Sequence, residues 1–413
     1  MAQRATAGER IGVLFMQSQE FFGADSQIHA SLMAHLDRAR FEVHCAAPAP
    51  RDGRASAALE RVRAIDDVAV RLTEFGPSVE GERSGLMRAM LRRGVPAAAS
   101  LAGLAAYVRR HRIGIVHCTE KPRDAIFGRY VAALGGAGLV IHAHVAVQDW
   151  MRRGVRRAMD HADAIVGVSE FIRDSIVTAG YPPERAYAVL NGLEVDQWTG
   201  DPVDVQAVRA EWGIPADAPM LLSASRLYRY KGQHEIVAAL PRVKEEFPDV
   251  RLVIVGEDDP RSYAPEPSYT ATLKRMAAEL GVTDNVIFTG FVNGIRPLMA
   301  ACDLYVMPSH EEPFGMVFVE AMSLERPVVA LDNGGTREVV EHGRSGLLSE
   351  RGDTAALAEH ICTLLRDPGL RARMGAYGRT RVLEYFNAER MTRDMEHVYE
   401  RVVTARRRRS VRG

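Results

Sequence analysis

Short β-branched runs separated by longer amphipathic segments recur along most of this chain, and that rhythm confines it to α/β architectures built on parallel sheets. The first unit sets the pattern: the apolar run Ile11–Phe15, a turn at Phe22-Gly23-Ala24, then Ile28, Leu32 and Leu36 at helical spacing. Further strands are predicted at Phe41–Ala47, Val68–Leu72, Ile113–His117, Leu139–His144, Ala164–Ser169 and Tyr187–Leu190. The rhythm pauses at the turn dipeptide Asn191-Gly192 and the polar stretch to Pro202. It restarts with Met220–Ala224, Leu252–Gly256, Val286–Thr289, Leu304–Met307 and Val328–Leu331. With 413 residues the chain exceeds what one hydrophobic core usually supports, so two doubly wound, Rossmann-like domains are expected. They are placed at 1–198 and 199–385, followed by 386–413 as a C-terminal helix, with a return to the N-terminal domain as one option, and a basic tail. Two such domains facing across a cleft would present to it the carboxyl ends of their strands, where open α/β sheets bind ligands.

Composition excludes more than it selects. Lys+Arg and Asp+Glu both total 53, so no charge bias points to nucleic acid, and a charged ligand has to be met locally. Cys45, Cys118, Cys302 and Cys362 have no paired spacing and read as reduced structural thiols. Met1 to Arg10 is polar and the run Ile11–Met16 is too short for a signal or a membrane span, so a cytoplasmic location is expected. The run Arg406–Arg409 reads as a solvated tail, with peripheral contact to an anionic membrane face as the alternative.

The segment that carries chemistry is Ser309-His310-Glu311-Glu312-Pro313-Phe314-Gly315-Met316, continuing to Ser323. Pro313 and Gly315 mark a loop after the strand Leu304–Met307, and Met316–Ser323 reads as a largely apolar helix. Glu312 then lies in the loop and Glu320 within the helix, where a carboxylate is costly unless it accepts hydrogen bonds. The vicinal hydroxyls of a ribose would supply them. Unpaired N–H groups of Phe314, Gly315 and Met316 at the helix start can take an anion or a hydroxyl, and Gly315 permits close approach. The plain alternative is a surface helix with an acidic first turn. Upstream, Arg226 follows one strand and Lys231 opens the next helix; two cations at such a turn can hold a diphosphate, one by a planar fork and one as a point charge.

Glu312 and Glu320 match the E-x7-E motif of retaining GT-B glycosyltransferases, and the sequence resembles the GT4-like family of that fold. The segments Ser309-x-x-Glu-Pro-Phe-Gly, Glu320-Ala321-Met322 and Asn333-Gly334-Gly335-Thr336-Arg337-Glu338, with the turn-like Ser345-Gly346-Leu347-Leu348, are similar to the family's pattern. The resemblance spans nearly the whole chain and is specific from about Leu221 to Leu348. It implies that Arg226 and Lys231 bind the donor's phosphates, that Glu312 and the N–H groups after it hold the sugar, and that Glu320 holds the ribose. Val255-Gly256-Glu257-Asp258 resembles a V-G-x-G turn with Asp258 in place of the second glycine, and the Pro-rich Asp259–Ser268 reads as an inserted loop. Thr289-Gly290-Phe291-Val292 resembles the segment that meets the nucleotide base. In the N-terminal half, alternation puts His142 and His144 on one face of their strand. The family's histidine at that strand end points to the transferred sugar, which makes His144 the candidate and His142 the alternate. Phe22-Gly23-Ala24-Asp25 resembles the glycine-rich loop after the family's first strand, with Phe22 where glycine is common.

The resemblance implies transfer of a hexose-type sugar from a nucleoside diphosphate donor, a UDP-sugar ahead of a GDP-sugar, to a small-molecule, glycan or lipid-linked acceptor with retention at the anomeric carbon. Glu312, His144, Arg226 and Lys231 are then the catalytic set, with no cofactor. No metal is expected in catalysis: His310 has no second histidine at helical spacing, and there is no D-x-D motif. The rivals are a GT-B-fold epimerase or phosphorylase and a binding module without chemistry; a redox Rossmann enzyme lacks G-x-G-x-x-G after Ile11–Phe15.

Overall fold

The computed structural model describes residues 10–50, 54–76, 83–149, 151–259 and 268–412, so most of the Pro-rich stretch after Asp259 lies outside the described residues. The chain divides into two compact units, Met1–Gly192 with Ala388–Gly413, and Leu193–Asn387.

The first unit is built on seven parallel strands: β1 (Ile11–Met16), β2 (Phe41–Pro48), β3 (Val68–Thr73), β4 (Ile113–Thr119), β5 (Gly138–Ala143), β6 (Ala164–Gly167) and β7 (Ala186–Ala188). Their order is β3-β2-β1-β4-β5-β6-β7, so the winding direction reverses between β1 and β4. Val13 pairs with Val43 on one side and Ile115 on the other, and Val13 to Met16 have no exposed surface. Helices on both faces account for that run being continuously apolar instead of alternating. His117 and His142 sit in this apolar core as fully buried exceptions. The last helix, Ala388–Arg412, packs on this unit through Met391, Met395, Val398, Tyr399 and Val402. Glu396 accepts from the Asp37 N–H at 2.8 Å and pairs with Arg40 at 2.8 Å, which anchors the helix beside β2. Arg406 and Arg409 of the basic run reach Asp163 at 3.0 and 3.6 Å.

The second unit has six parallel strands: β8 (Met220–Ala224), β9 (Arg251–Val255), β10 (Val286–Gly290), β11 (Leu304–Met307), β12 (Val328–Leu331) and β13 (Gly346–Ser349). Their order, β10-β9-β8-β11-β12-β13, repeats the same winding, with its reversal between β8 and β11. β13 corrects the turn-like reading of Ser345–Leu348: the segment is an edge strand in register with β12, Val328 opposite Gly346. Four residues led by glycine carry too little periodicity to be seen as a strand. The glycine is needed because a Cβ there would lie 2.2 Å from the Val328 carbonyl oxygen. Leu221, Ile236, Leu240, Leu252, Val306 and Ile361 form the buried core that holds helices Gln233–Glu246 and Thr354–Arg366 to the sheet.

Candidate functional site

In the second unit the carboxyl ends of β8 and β11 lie on either side of the winding reversal, the place where an open sheet leaves a crevice. Two loops fill it, Ser225–Gly232 after β8 and Pro308–Gly315 after β11, and they touch at a glycine. Gly232 has φ +75°, and a Cβ on it would sit 1.9 Å from the Pro308 carbonyl oxygen. Gly232→Ala is expected to lose at least ~1–2 kcal/mol from the left-handed backbone alone, more from the clash. A lowered melting temperature checks this, and an unchanged one contradicts the close approach. Gly256 is pinned in the same way, its missing Cβ 1.9 Å from the Ser225 carbonyl oxygen and its N–H donating to Gly290 at 2.9 Å. That bond brings the Gly256 turn beside the Gly290-Phe291-Val292 turn, where Phe291 is 72% exposed and open to stack on a planar ligand.

The loop after β11 is held by the Asn333-Gly334-Gly335 segment. The Asn333 amide donates to the Ser309 carbonyl at 2.9 Å, and the Gly335 N–H donates to the Glu312 carbonyl at 2.8 Å. This is a physical role for residues that the sequence marked only by resemblance. Glu312 is thereby buried and aimed at Lys231, whose ammonium pairs with it at 2.7 Å. Gly315, φ +97°, caps the helix Met316–Ser323, and Phe314 is buried edge-on against Phe386.

Arg226 points elsewhere: it pairs with the buried Asp259 and lies over the Tyr228 ring at 5.4 Å. The sequence places Arg226 and Lys231 as two cations at one strand-to-helix turn, and the fold gives each a carboxylate partner, Asp259 and Glu312. Neither pairing crosses a spacing that local periodicity detects. Asp258, where the resembled turn has glycine, accepts from Ser268 Oγ at 2.6 Å and from the Thr270 N–H at 2.9 Å, tying the loop to the start of helix Tyr269–Glu279.

Glu320 differs from the other acids of this crevice. Among the described residues no hydrogen bond or ion pair reaches its carboxylate, and burial pushes its carboxyl up to about 7. It keeps some surface, so the carboxylate is shielded from water without being sealed off. The buried Tyr305 phenol of β11 donates to the Ala224 carbonyl of β8 at 2.8 Å and is pushed up by burial, with the charges of Glu320 and Glu312 acting the same way. An under-partnered carboxyl with a shifted pKa at a sheet's switch point is the profile of a ligand-binding group.

In the first unit a second polar cluster occupies the corresponding crevice, at the ends of β1, β4 and β5. Gly23 caps helix Ala24–His35 at φ −105°, and a Cβ there would displace the ring edge of the half-exposed Phe21, 2.9 Å away. His142 lies within β5 and His144 just beyond it, their rings 4.5 Å apart. Around them stand residues the sequence reading did not single out. Asp25 pairs with Lys121 and accepts from the Gln19 amide at 2.7 Å. Burial works against the Asp25 charge, but Lys121 and the hydrogen bonds outweigh it and hold its carboxyl below the usual range. Glu120 accepts from the His144 N–H at 3.2 Å, and burial pushes it up to about 7. His29 and His117 approach each other at 3.1 Å between their Nε2 atoms. Burial depresses His144 to about 4 and His29 to about 3, so these imidazoles are neutral. The available signal was polar residues inside otherwise apolar strands, His117 and His142.

Two groups of side chains could hold a metal ion among the described residues: His29, His142 and His144, and His234, Glu235 and His310. The second group gives His310 a histidine neighbour from another element, which no local spacing reveals.

Residues 204–381 match the family described as glycosyl transferases group 1, and residues 29–197 match glycosyltransferase family 4. The chain is 34% identical over 269 residues to an alpha-maltose-1-phosphate synthase of Mycolicibacterium smegmatis, covering 62% of this chain and 67% of that one. It is 30% identical to a GDP-mannose-dependent alpha-(1-6)-phosphatidylinositol monomannoside mannosyltransferase of the same organism, covering 62% and 68%. Among solved structures, HepE of Anabaena, in complex with UDP and glucose, shares the fold with a TM-score of 0.76 at 24% identity, covering 95% of this chain and 100% of that one. Sucrose-phosphate synthase of Thermosynechococcus elongatus does so with a TM-score of 0.71 at 22% identity, covering 96% and 100%.

Proposed function

The chain belongs to the GT4-like glycosyltransferases of GT-B fold, and from that premise we propose that it moves a hexose-type sugar from a nucleoside diphosphate donor to an acceptor hydroxyl, with retention of anomeric configuration and without a metal in the chemical step. The observation that carries the donor assignment is the crevice between β8 and β11. There Glu320 has no partner among the described residues, and the Lys231–Glu312 pair lies across the contact between the two loops.

In this reading Glu320 accepts hydrogen bonds from the two ribose hydroxyls. Lys231 has three N–H donors; Glu312 takes one, which leaves two for oxygens of the diphosphate. Arg226 shares or leaves Asp259 to meet the same group. As the glycosidic bond breaks, negative charge builds on the departing phosphate, and these cations stabilise it where it forms. The phosphate oxygen takes the acceptor's proton while the new bond forms on the same face, so no side-chain nucleophile is required. Glu312 and the N–H groups of Phe314, Gly315 and Met316 hold hydroxyls of the sugar, and Phe291 and Val292 flank the base. In the first unit His144 donates a hydrogen bond to a sugar hydroxyl, the alternate His142 being fully buried with no exposed surface from which to do so, and the Gly23 turn keeps the backbone close. A cytoplasmic location belongs to the same proposal; no described helix is long and apolar enough to cross a membrane. The acceptor is a small molecule, a glycan or a lipid-linked sugar.

UDP is placed first because HepE, the fold neighbour, carries UDP and glucose, and GDP second because a relative is named GDP-mannose-dependent. In a thermal-shift series with UDP, GDP and ADP, UDP is expected to give the largest rise. Ligand at about 100 times its dissociation constant stabilises by roughly 2.7 kcal/mol. Equal, negligible shifts with all three nucleotides would remove the donor site from this crevice.

A further inference from the structure

Among the described residues, Nδ1 of His29, both ring nitrogens of His142 and Nε2 of His144 are enclosed and meet no hydrogen-bond partner. His29 and His142 have no exposed surface, and His144 is half-buried. A buried polar group left unsatisfied keeps its full desolvation penalty, so clustering several bare nitrogens in one core is unfavourable unless something binds them. We propose that His29, His142 and His144 form a binding site for a divalent transition metal of the zinc type inside the N-terminal unit. One nitrogen from each ring lies within 4.8 Å of the others. Small side-chain rotations then close the set on an ion with bonds of about 2.0–2.1 Å. Three imidazoles with the fourth position open to water suit zinc, and imidazole also takes cobalt, nickel and copper.

The surrounding hydrogen bonds support this set through the tautomers they permit. If His29 coordinates through Nδ1, its Nε2 carries the proton and donates to His117 Nε2 at 3.1 Å. His117 then bears its own proton on Nδ1 and donates it to the Tyr399 hydroxyl at 2.7 Å. This assignment runs one relay of hydrogen bonds from the ligand to helix Ala388–Arg412, with the Tyr399 oxygen as its terminal acceptor, the kind of second layer that orients a ligating histidine. The competing group does not present the same need. His310 already meets Glu235 at 2.5 Å, and His234 Nδ1 already meets the Tyr269 hydroxyl at 2.8 Å.

His144 gives the site a consequence. Coordination through its enclosed Nε2 puts the remaining proton on Nδ1, at the other edge of the ring, and makes His144 a fixed hydrogen-bond donor. Only this last step rests on the glycosyl-transfer reading; the metal site itself does not.

The test uses full-length chain stripped with a chelator and titrated with Co2+, with His234→Gln as the background that removes the second group. One equivalent is expected, with visible d–d bands of a four-coordinate ion that Zn2+ displaces. His29→Gln and His142→Gln abolish the bands, and Tyr399→Phe weakens binding by about 10–100-fold. No uptake in the His234→Gln background overturns the proposal and leaves the nitrogens to ordered water. Parental binding in His29→Gln and His142→Gln also overturns it. If those variants do not fold, X-ray absorption of Zn2+ in the His234→Gln protein decides: imidazole scattering from about three nitrogens near 2.0–2.1 Å supports the site. Oxygen-only coordination refutes it.

Discussion

Lys231→Ala is expected to lower turnover of the sugar nucleotide by about 100- to 1,000-fold, the range seen when one preorganised group facing a developing negative charge is removed. Release of the nucleoside diphosphate is the readout, with water taking the sugar when no other acceptor is supplied. The pairing with Glu312 adds a second effect. With side-chain exposures of 15% and 9%, the pair is largely shielded, so deleting the lysine leaves a buried carboxylate uncompensated. Removal of one partner of such a pair costs about 3–5 kcal/mol when the other stays charged. The two effects separate in a double-mutant cycle. Lys231→Ala with Glu312→Gln should recover most of the stability, because the buried charge is gone, and none of the turnover, because the phosphate still lacks its cation. Recovery of both together would mean that Lys231 acts on Glu312 alone and never on the donor.

Glu320→Gln should stabilise the ligand-free protein above neutral pH and at the same time weaken donor binding. The folded-state carboxyl titrates near 7, above its unfolded value of 4.5, and burial is the cause. A carboxyl raised on folding keeps its proton more tightly in the native state. Its favourable contribution is therefore complete below the unfolded pKa and is lost as pH rises through about 4.5 to 7. Glutamine has no such loss, so the variant gains on the parent across that window, by about 1–3 kcal/mol after discount for partial exposure. Donor binding follows the opposite sign. Ribose hydroxyls donate to the ionised form, so parental affinity for UDP should fall as pH drops below about 7, while the variant's weaker affinity stays flat. Calorimetry with UDP at pH 6 and pH 8, beside melting curves at the same pH values, reads both. A parental affinity that does not change between them would take Glu320 out of ribose binding.

Some of this was legible in the sequence for plain reasons. Strands buried on both faces are continuous apolar runs, which is why Met220–Ala224, Leu304–Met307 and Val328–Leu331 were found to the residue. β13 was not found, because a short edge strand that begins with glycine looks like a turn until Val328 is known to lie opposite it. Glu312, Glu320, Arg226 and Lys231 stand out as charges at a strand end or on an apolar helix, and their assignment to a donor rests on the resemblance of their segments to the GT4-like pattern.

Their partners were not visible. Asp259 lies 33 residues from Arg226, and Glu312 lies 81 from Lys231. The contacts of Gly232 with Pro308 and of Gly256 with Ser225 likewise join loops that follow different strands. The histidines that gather at the end of β5 come from a helix, a strand interior and the segment just after that strand.

By itself, then, the order of residues determined the two parallel sheets and the residue types at their strand ends, because periodicity and burial are properties of neighbours along the chain. Only tertiary structure decided which cation each carboxylate neutralises, which carboxyl has no partner among the described residues, and which imidazoles meet, because pairing and desolvation depend on what the fold brings close from far along the chain.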